Sequence, residues 1–534
     1  MSGVTANAER SKKSDYSLKG LIDGFKELLE PVISYFRTYR ENGHIDIDVL
    51  YMVTYMNSIA TANISRDEIF KRVSERNEYA CSKYMNQVYL LAKNWNYEYG
   101  TACNIVAERT SNKRLKDLLM RLANAMASGE PETKFLESEW QTMMIIYKNE
   151  YERSLESLKK WADAYTALLV SMSFMSITIL MSIVIYNMGD PVTTIISTLV
   201  VIALTAGCGA FVLRSEAPKE FKTHDLEIRS PEQQRIKDMS KLLLPAAAIL
   251  SIVMFVLGID VGLILIIIGL IIAPMGIIGN RDDKNVTDRD RDYSQFTKML
   301  GSVVGGMGLT VKEGITKVDQ KSIGSLEPLV KKLYVRLVMG LDPKVCWNEF
   351  IGNSGSELIN KFTHIFTDAI DMGGDATKIG KLVNTTNLEV VLLRMKRKLV
   401  SSSFTTLIIP MHAAMCGLTL FVVEILIIFA GMISGMYSSM SFNSGSDISG
   451  GSGFSVNSLG FSMFQNVPVQ LISQYSIAMV LILTIADTLA AKYVDGGDTY
   501  RLYYYGSIMS VLSGICLLVI PVVVRAIFNF AVPV

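Results

Sequence analysis

The chain has 534 residues, half of them apolar, and its mean hydropathy of +0.30 is above that of a typical soluble globular protein. Its 52 Lys and Arg nearly balance its 51 Asp and Glu, so the net charge gives no indication of a nucleic-acid partner. Long apolar runs alternate with segments dense in charge, which is typical of a polytopic membrane protein and excludes a purely soluble one.

Polar, helix-prone sequence fills the range 1–163, and no signal peptide is visible. We expect an N-terminal cytoplasmic helical segment over 1–44 and a first cytoplasmic helical domain over 45–163. Between 112 and 128 the apolar residues recur at the spacing of one helix face. The segment 280–402 has the same character, which predicts a second cytoplasmic helical domain.

Seven apolar runs are each long enough to cross a bilayer as a helix. Four lie in 164–279 and three in 403–534, at 164–186, 191–213, 242–258, 261–279, 403–436, 474–491 and 505–524. Pro191 opens the second run, where proline suits the first position of a helix. The predicted fold class is therefore all-α, with seven transmembrane helices and two repeated cytoplasmic helical bundles.

The distribution of cations predicts the orientation of these spans. The connection 214–241 contains seven Lys and Arg, whereas 187–190, 259–260 and the Ser/Gly-rich connection 437–473 contain none. Because cytoplasmic loops are enriched in cations, we expect a cytoplasmic N-terminus and an exterior C-terminus in the cell membrane. Arg525 is the one cation on the wrong side, and it could reach an interface.

The two predicted cytoplasmic domains resemble each other when position n of the first is placed against position n + 244 of the second. "GEPETKF" at 129–135 then falls on "GGDATKI" at 373–379. A second pair of turns, around Gly100 and Gly340, agrees only after a four-residue gap, and 61–70 resembles 306–315. We expect a duplication in which Gly129, Gly373, Gly100 and Gly340 mark helix ends; chance similarity between helical hairpins is the alternative.

Catalytic and metal-binding motifs are missing from the sequence. The glycines of "DMGGDATKIGKLV", 371–383, do not form a P-loop, because five residues separate Gly374 from Gly380 and Leu382 follows Lys381. There is no HExxH, no GxSxG and no CxxC, and the four histidines share no ligand spacing. We expect no enzyme activity, cofactor or metal, so an ATP-driven process would need a partner.

Paired helical domains with turns of the "GGDATKI" and "MGL-x-V-x-x-x-I" kind, each leading into apolar spans, resemble the type II secretion system F domain family. This family comprises the membrane platform proteins of type IV pili and type II secretion. The seven spans and the long N-terminal segment are similar to its archaeal branch, the platform proteins of the archaellum. The resemblance covers roughly residues 45–435.

The resemblance implies a non-enzymatic platform that couples a motor to assembly and rotation of an archaellum filament. Its expected partners are a cytoplasmic hexameric secretion ATPase, archaellin- or pilin-like filament subunits and the lipid bilayer, with cytoplasmic ring and stator components as further candidates. A six-fold motor with a central axis suggests a homodimer. The platform of an adhesive pilus or of a type II-like secretion system is the alternative within the family.

Basic residues close to the predicted spans are candidates for docking the acidic surface of such an ATPase. They lie in "RMKRK" at 394–398, in "ERSLESLKKW" before the first span and in the connection 214–241: Arg394, Lys396, Arg397, Lys398, Arg153, Lys159, Lys160, Lys219, Lys222, Arg229, Arg235 and Lys237. The alternative is that they only set the orientation and contact anionic lipid.

Two acids lie inside predicted spans, Glu424 in "LFVVEILIIF" and Asp487 in "LTIADTLA". An acid in hydrocarbon is costly unless it faces the bundle interior or finds a partner. Both could line a groove for a filament subunit, or fix helix packing through hydrogen bonds. In a rival function they would be the coupling acids of a transporter; a signalling receptor is a second rival, without a recognisable kinase, cyclase or heptad module.

Overall fold

A computed structural model describes residues 45–76, 78–186, 191–443 and 469–529. Within these ranges all regular structure is helical, which confirms the predicted fold class at the level of an all-α chain. The helices are α1 (45–60), α2 (Arg66–Ser74), α3 (Ser82–Trp95), α4 (Tyr99–Arg109), α5 (Lys113–Ala127), α6 (Glu132–Tyr186), α7 (Pro191–Glu216), α8 (Pro231–Val256), α9 (Val261–Met307), α10 (Val311–Lys317), α11 (Glu327–Val338), α12 (Pro343–Ser354), α13 (Glu357–Asp371), α14 (Ala376–Asn443), α15 (Val469–Asp495) and α16 (Tyr500–Asn529), with a 3₁₀ helix over Gln320–Leu326.

Seven of these helices, α6, α7, α8, α9, α14, α15 and α16, are long and apolar enough to cross a membrane. The predicted number of spans is thus confirmed, and α7 begins at Pro191 as predicted. Three helices extend far beyond a bilayer's thickness: α6 has 55 residues, α9 has 47 and α14 has 68. The predicted segment 1–44 and most of the Ser/Gly-rich connection 437–473 lie outside the described residues, and the orientation stays a prediction.

The described chain divides into two compact units, each built from separate stretches of sequence. The first unit contains the residues up to Tyr147 together with Thr297–Leu309 and Lys361–Thr386, and the second contains the remainder. Because both units are discontinuous, the contiguous cytoplasmic domains expected at 45–163 and 280–402 stay a prediction.

The core of the first unit forms where α1 packs against α13. Lys361 of α13 and Asp48 of α1 form a buried ion pair. Tyr51 and Phe362 meet edge to face with ring centroids 5.5 Å apart, and Tyr55 Oη donates to Asp368 at 3.0 Å. The α13 side chains Leu358, Ile359, Phe362, Ile365 and Phe366 are all buried, so this helix contributes an apolar face to the core.

Helix bounds repeat along the chain in the alignment that the sequence suggested, with position n against n + 244. In this alignment α5 coincides with α13 at both ends, because 113 falls on 357 and 127 falls on 371. The start of α6 at Glu132 likewise falls on the start of α14 at Ala376. Gly129 and Gly373 both have left-handed backbone, with φ of 73° and 85°. These two glycines therefore end equivalent helices, because glycine adopts positive φ without a steric penalty.

Gly100 is the exception among the four predicted turn glycines. It is the second residue of α4, and its φ is not positive, so the prediction that it marks a helix end is wrong. The same alignment instead pairs Gly340 with Asn96, and both are left-handed, with φ of 81° and 54°. Since α4 and α12 then begin at equivalent positions, 99 and 343, no four-residue gap is needed.

An earlier turn also repeats, but here position n falls against n + 245 instead of n + 244. Asn63 and Gly308 are both left-handed, with φ of 50° and 64°. Two residues later, Ser65 and Thr310 each accept a hydrogen bond at 3.3 Å from the backbone N–H three positions on. These N-caps start α2 and α10, which matches the resemblance of 61–70 to 306–315.

Close packing of α9 against α16 depends on three glycines at every seventh position, 262, 269 and 276. A Cβ on Gly269 would lie 2.6 Å from Val511 Cγ2, and one on Gly276 would lie 2.7 Å from Tyr504 Cα. Such small residues let two helix backbones approach closely, which is a principal source of helix association in a membrane.

Candidate functional site

The "RMKRK" segment of α14 places two of its four cations inside the protein. The side chains of Arg394 and Arg397 are 8% and 5% exposed. Glu220, in the connection between α7 and α8, bridges them: its two carboxylate oxygens lie 3.0 Å from Arg397 Nη1 and 3.4 Å from Arg394 Nε. Arg394 Nη1 also donates to Asp290 of α9 at 2.9 Å.

Backbone carbonyls accept further hydrogen bonds from both of these guanidinium groups. Arg397 donates to the carbonyl oxygens of Pro218 at 2.9 Å and Tyr493 at 3.0 Å, and Arg394 donates to that of Phe221 at 2.8 Å. A buried cation is tolerated only when it is paired and hydrogen-bonded. The arrangement therefore fixes α14 to the α7–α8 connection and to the end of α15.

Glu220 is held in its charged form. Burial alone would raise its pKa, but the Arg397 and Arg394 guanidinium groups outweigh burial and lower the pKa of Glu220 below its ordinary value of 4.5. Tyr151 of α6 adds a hydrogen bond to the same carboxylate at 3.1 Å.

A second ion-pair cluster lies around the turn between α15 and α16. Asp495 pairs with Lys398 at 2.8 Å and with Arg501. Asp283 of α9 pairs with Lys222 at 2.6 Å and lies 3.8 Å from Arg501. Positive charge from three segments of the chain is neutralised here by acids of the same chain.

The other predicted docking residues, apart from Arg229, lie nearer the surface. Lys396 is half exposed and pairs with Glu152, and the largely buried Arg229 lies 3.7 Å from Asp225. Six are exposed: Arg153, Lys159, Lys160, Lys219, Arg235 and Lys237. In the part of the chain that the structure describes, all of these six except Lys219 lack an ion pair. Docking itself stays a prediction.

Asp487 is the centre of a hydrogen-bond chain that joins four membrane helices. Tyr165 of α6 donates to one carboxylate oxygen at 2.9 Å, and Nδ1 of His412 of α14 lies 2.7 Å from the other. Nε2 of His412 lies 2.8 Å from Ser513 of α16, which is 2.6 Å from Thr484 of α15. All five side chains are buried, so the acid has partners within the bundle.

Sequence reasoning missed His412 and Tyr165 as partners of Asp487. A histidine inside the apolar run "LIIPMHAAMC" was the available signal, since a titratable residue in a span requires a partner. The distance of 75 residues between His412 and Asp487 along the chain left that partner undetermined.

Glu424 has a different partner, at the far end of α16. Its side chain is 6% exposed and forms an ion pair with Arg525, whose side chain is 63% exposed. Arg525 is the one cation on the wrong side in the predicted orientation. The pair gives both residues a structural explanation, because each offsets the cost of the other's charge near hydrocarbon.

Within the described residues, no three His, Cys, Asp or Glu side chains group in a way that could hold a metal ion. The arrangement offers ion pairs and hydrogen bonds that fix helices, together with exposed cations on α6 and α8.

Comparison with known proteins finds a family similarity in the first part of the chain. Residues 52–180 match the family model of the type II secretion system (T2SS), protein F. The matched range begins within α1 and ends within α6, so it contains Arg153, Lys159 and Lys160. The resemblance seen in the sequence is thereby confirmed.

Two relatives extend the similarity beyond residues 52–180. Flagella accessory protein J of Methanocaldococcus jannaschii is 24% identical over 464 residues, which cover 84% of this chain and 79% of the relative. Flagella accessory protein J of Methanococcus voltae is 23% identical over 366 residues, which cover 66% of this chain and 64% of that protein. No solved structure matches the chain.

Proposed function

We propose that this chain is the membrane platform of an archaeal type IV filament machine, an archaellum. In this function it docks a cytoplasmic hexameric ATPase and couples the motion of that ATPase to the assembly and rotation of filament subunits. The observation that carries the proposal is similarity to flagella accessory protein J across 84% of the chain, together with the match of residues 52–180 to the protein F family model. We further propose a homodimer on the axis of the motor.

Continuous helices provide a physical basis for coupling. At 1.5 Å per residue, the 55 residues of α6 span about 80 Å and the 68 residues of α14 about 100 Å. Each runs from charged sequence into apolar sequence without a break, so displacement of the charged end moves the apolar end. The buried ion pairs of Arg394 and Arg397 hold α14 to neighbouring segments, which supports the same role.

The exposed cations define the docking surface that we propose. Lys159 and Lys160, adjacent on α6, can attract an acidic partner because they have no carboxylate partner in the described part of the chain. Arg394 and Arg397 are excluded from this surface, since their charges are buried and neutralised within the fold.

Charge reversal with a matched control tests the docking surface. Lys159→Glu/Lys160→Glu should abolish co-purification of the ATPase in detergent, with unchanged insertion into membranes. The control is Lys331→Glu/Lys332→Glu, a second exposed pair of adjacent lysines, on α11. It should retain the ATPase. Equal retention by both variants would refute the docking surface and leave the platform function standing.

Deletion of the gene tests the platform function itself. Cells without this chain should make filament subunits that stay in the membrane, and no filaments should form. If the deletion cells keep their motility filaments and lose only the ability to attach to surfaces, the adhesive-pilus alternative would be favoured. The transporter alternative has less support, because Glu424 and Asp487 both have partners within the chain.

A further inference from the structure

A groove of about 320 Å³ lies between α7 and α15, and we call it the α7–α15 groove. It is lined by the small residues Ala206, Gly207 and Ala210 of α7 and by the exposed side chains of Phe211 and Ile485. Both helices are candidate membrane spans, so this apolar lining would face lipid hydrocarbon. Its volume lies at the lower end of the ~300–1,000 Å³ found for ligand sites.

Positive charge gathers at one end of the groove. Arg214 lines this end, and its guanidinium lies 5.5 Å from the centroid of the Tyr493 ring. Lys492 Nζ lies 5.4 Å from the same centroid. In the ranges that the structure describes, neither cation forms an ion pair with an acid.

The charged neighbours leave this end positive. Lys492 interacts electrostatically with Asp498, whose carboxylate also accepts a hydrogen bond from Thr223 at 2.7 Å. Arg214 adds positive charge beside Lys492, whereas Glu220 neutralises the nearby Arg397. An apolar groove that ends in two cations and a tyrosine matches an anionic phospholipid, which has a hydrocarbon chain, a negatively charged headgroup and an interfacial region between them.

We propose that the α7–α15 groove binds one anionic phospholipid of the surrounding membrane. One hydrocarbon chain of the lipid lies along Ala206, Gly207 and Ile485, and the headgroup phosphate binds Arg214 and Lys492. A guanidinium offers paired donors that match phosphate oxygens, while the lysine acts as a point charge. An apolar helix from another protein would also fit the lining, but it would not require two cations at one end. The charge therefore favours lipid.

Native mass spectrometry of the full-length chain, titrated with phosphatidylglycerol or phosphatidylcholine, tests the charged end. The wild type should retain phosphatidylglycerol in preference to phosphatidylcholine. Because one basic residue near an anionic headgroup contributes a factor of about 5 in affinity, Arg214→Gln/Lys492→Gln should bind phosphatidylglycerol about 25-fold more weakly. Lys331→Gln/Lys332→Gln, which removes two exposed lysines outside the groove, should bind as the wild type does.

A second variant tests the apolar lining. A Cβ on Gly207 would meet no atom within 4 Å, so Gly207→Leu places its side chain in open space and should fold normally. By filling the groove it should also reduce phosphatidylglycerol binding. Wild-type binding by both the charge variant and Gly207→Leu would overturn the proposal. So would a photo-crosslinker at position 207 that captures a filament subunit instead of lipid in cells, because the groove would then be a protein-docking site.

Discussion

Glu220→Gln is the change that best separates a structural from a docking role for the "RMKRK" segment. The amide keeps the shape of the carboxylate but removes the charge that lies 3.0 Å from Arg397 and 3.4 Å from Arg394. Both guanidinium groups are more than nine-tenths buried and cannot turn to water. Removing one partner of a buried ion pair costs about 3–5 kcal/mol, so we expect a loss of that order in the free energy of unfolding.

Thermal unfolding of the detergent-purified protein, followed by tryptophan fluorescence at several pH values, measures this loss. The folded-state pKa of Glu220 is lowered from 4.5, so its contribution to stability is fully present above pH 4.5. The contribution decreases as the pH falls below 4.5 towards the folded-state pKa, because the unfolded state then binds the proton more readily. Glu220→Gln should lower the unfolding temperature at pH 7 and remove this part of the acid sensitivity.

Glu152→Gln is the matched control, because Glu152 pairs with Lys396 of the same segment. These side chains are 36% and 52% exposed, so water replaces the lost contact and we expect no measurable change in stability. Two results would show that burial does not decide the role of these cations. One is a wild-type unfolding temperature for Glu220→Gln, and the other is an equal fall in unfolding temperature for Glu152→Gln and Glu220→Gln. Arg394 and Arg397 would then again be candidates for the docking surface.

Three further outcomes follow from the packing. Gly276→Ala should lower the unfolding temperature, because its Cβ would lie 2.7 Å from the backbone of α16, whereas Gly431→Ala, in open space, should not. Asp487→Asn should reduce the yield of folded protein more than Glu424→Gln, because Asp487 has buried partners whereas Glu424 pairs with an exposed arginine. Equal yields of the two variants would contradict this. Burial lowers the pKa of His364 below 6.5, so stability should fall as the pH drops from 6.5 and the unfolded state takes up the proton. His364→Gln should show a shallower pH dependence in chemical unfolding, and an unchanged slope would refute the assignment.

The sequence by itself determined the features that depend on neighbouring residues. The seven spans follow from mean hydropathy over a helix length, and the start of α7 follows from Pro191. Gly129 and Gly373 could be identified as helix ends because positive φ is a local property that favours glycine. Asn96 adopts positive φ without being glycine, so the sequence led to a pairing of Gly340 with Gly100 instead of Asn96.

Only the tertiary structure decided which charged residues are exposed. Arg394 and Arg397 look like a free basic cluster in the sequence because the acids that neutralise them lie 104 and 177 residues away. Asp487 likewise finds Tyr165 at a separation of 322 residues. Hydropathy and turn preference act over a few residues, whereas the burial of a charge depends on whichever distant segments fold against it.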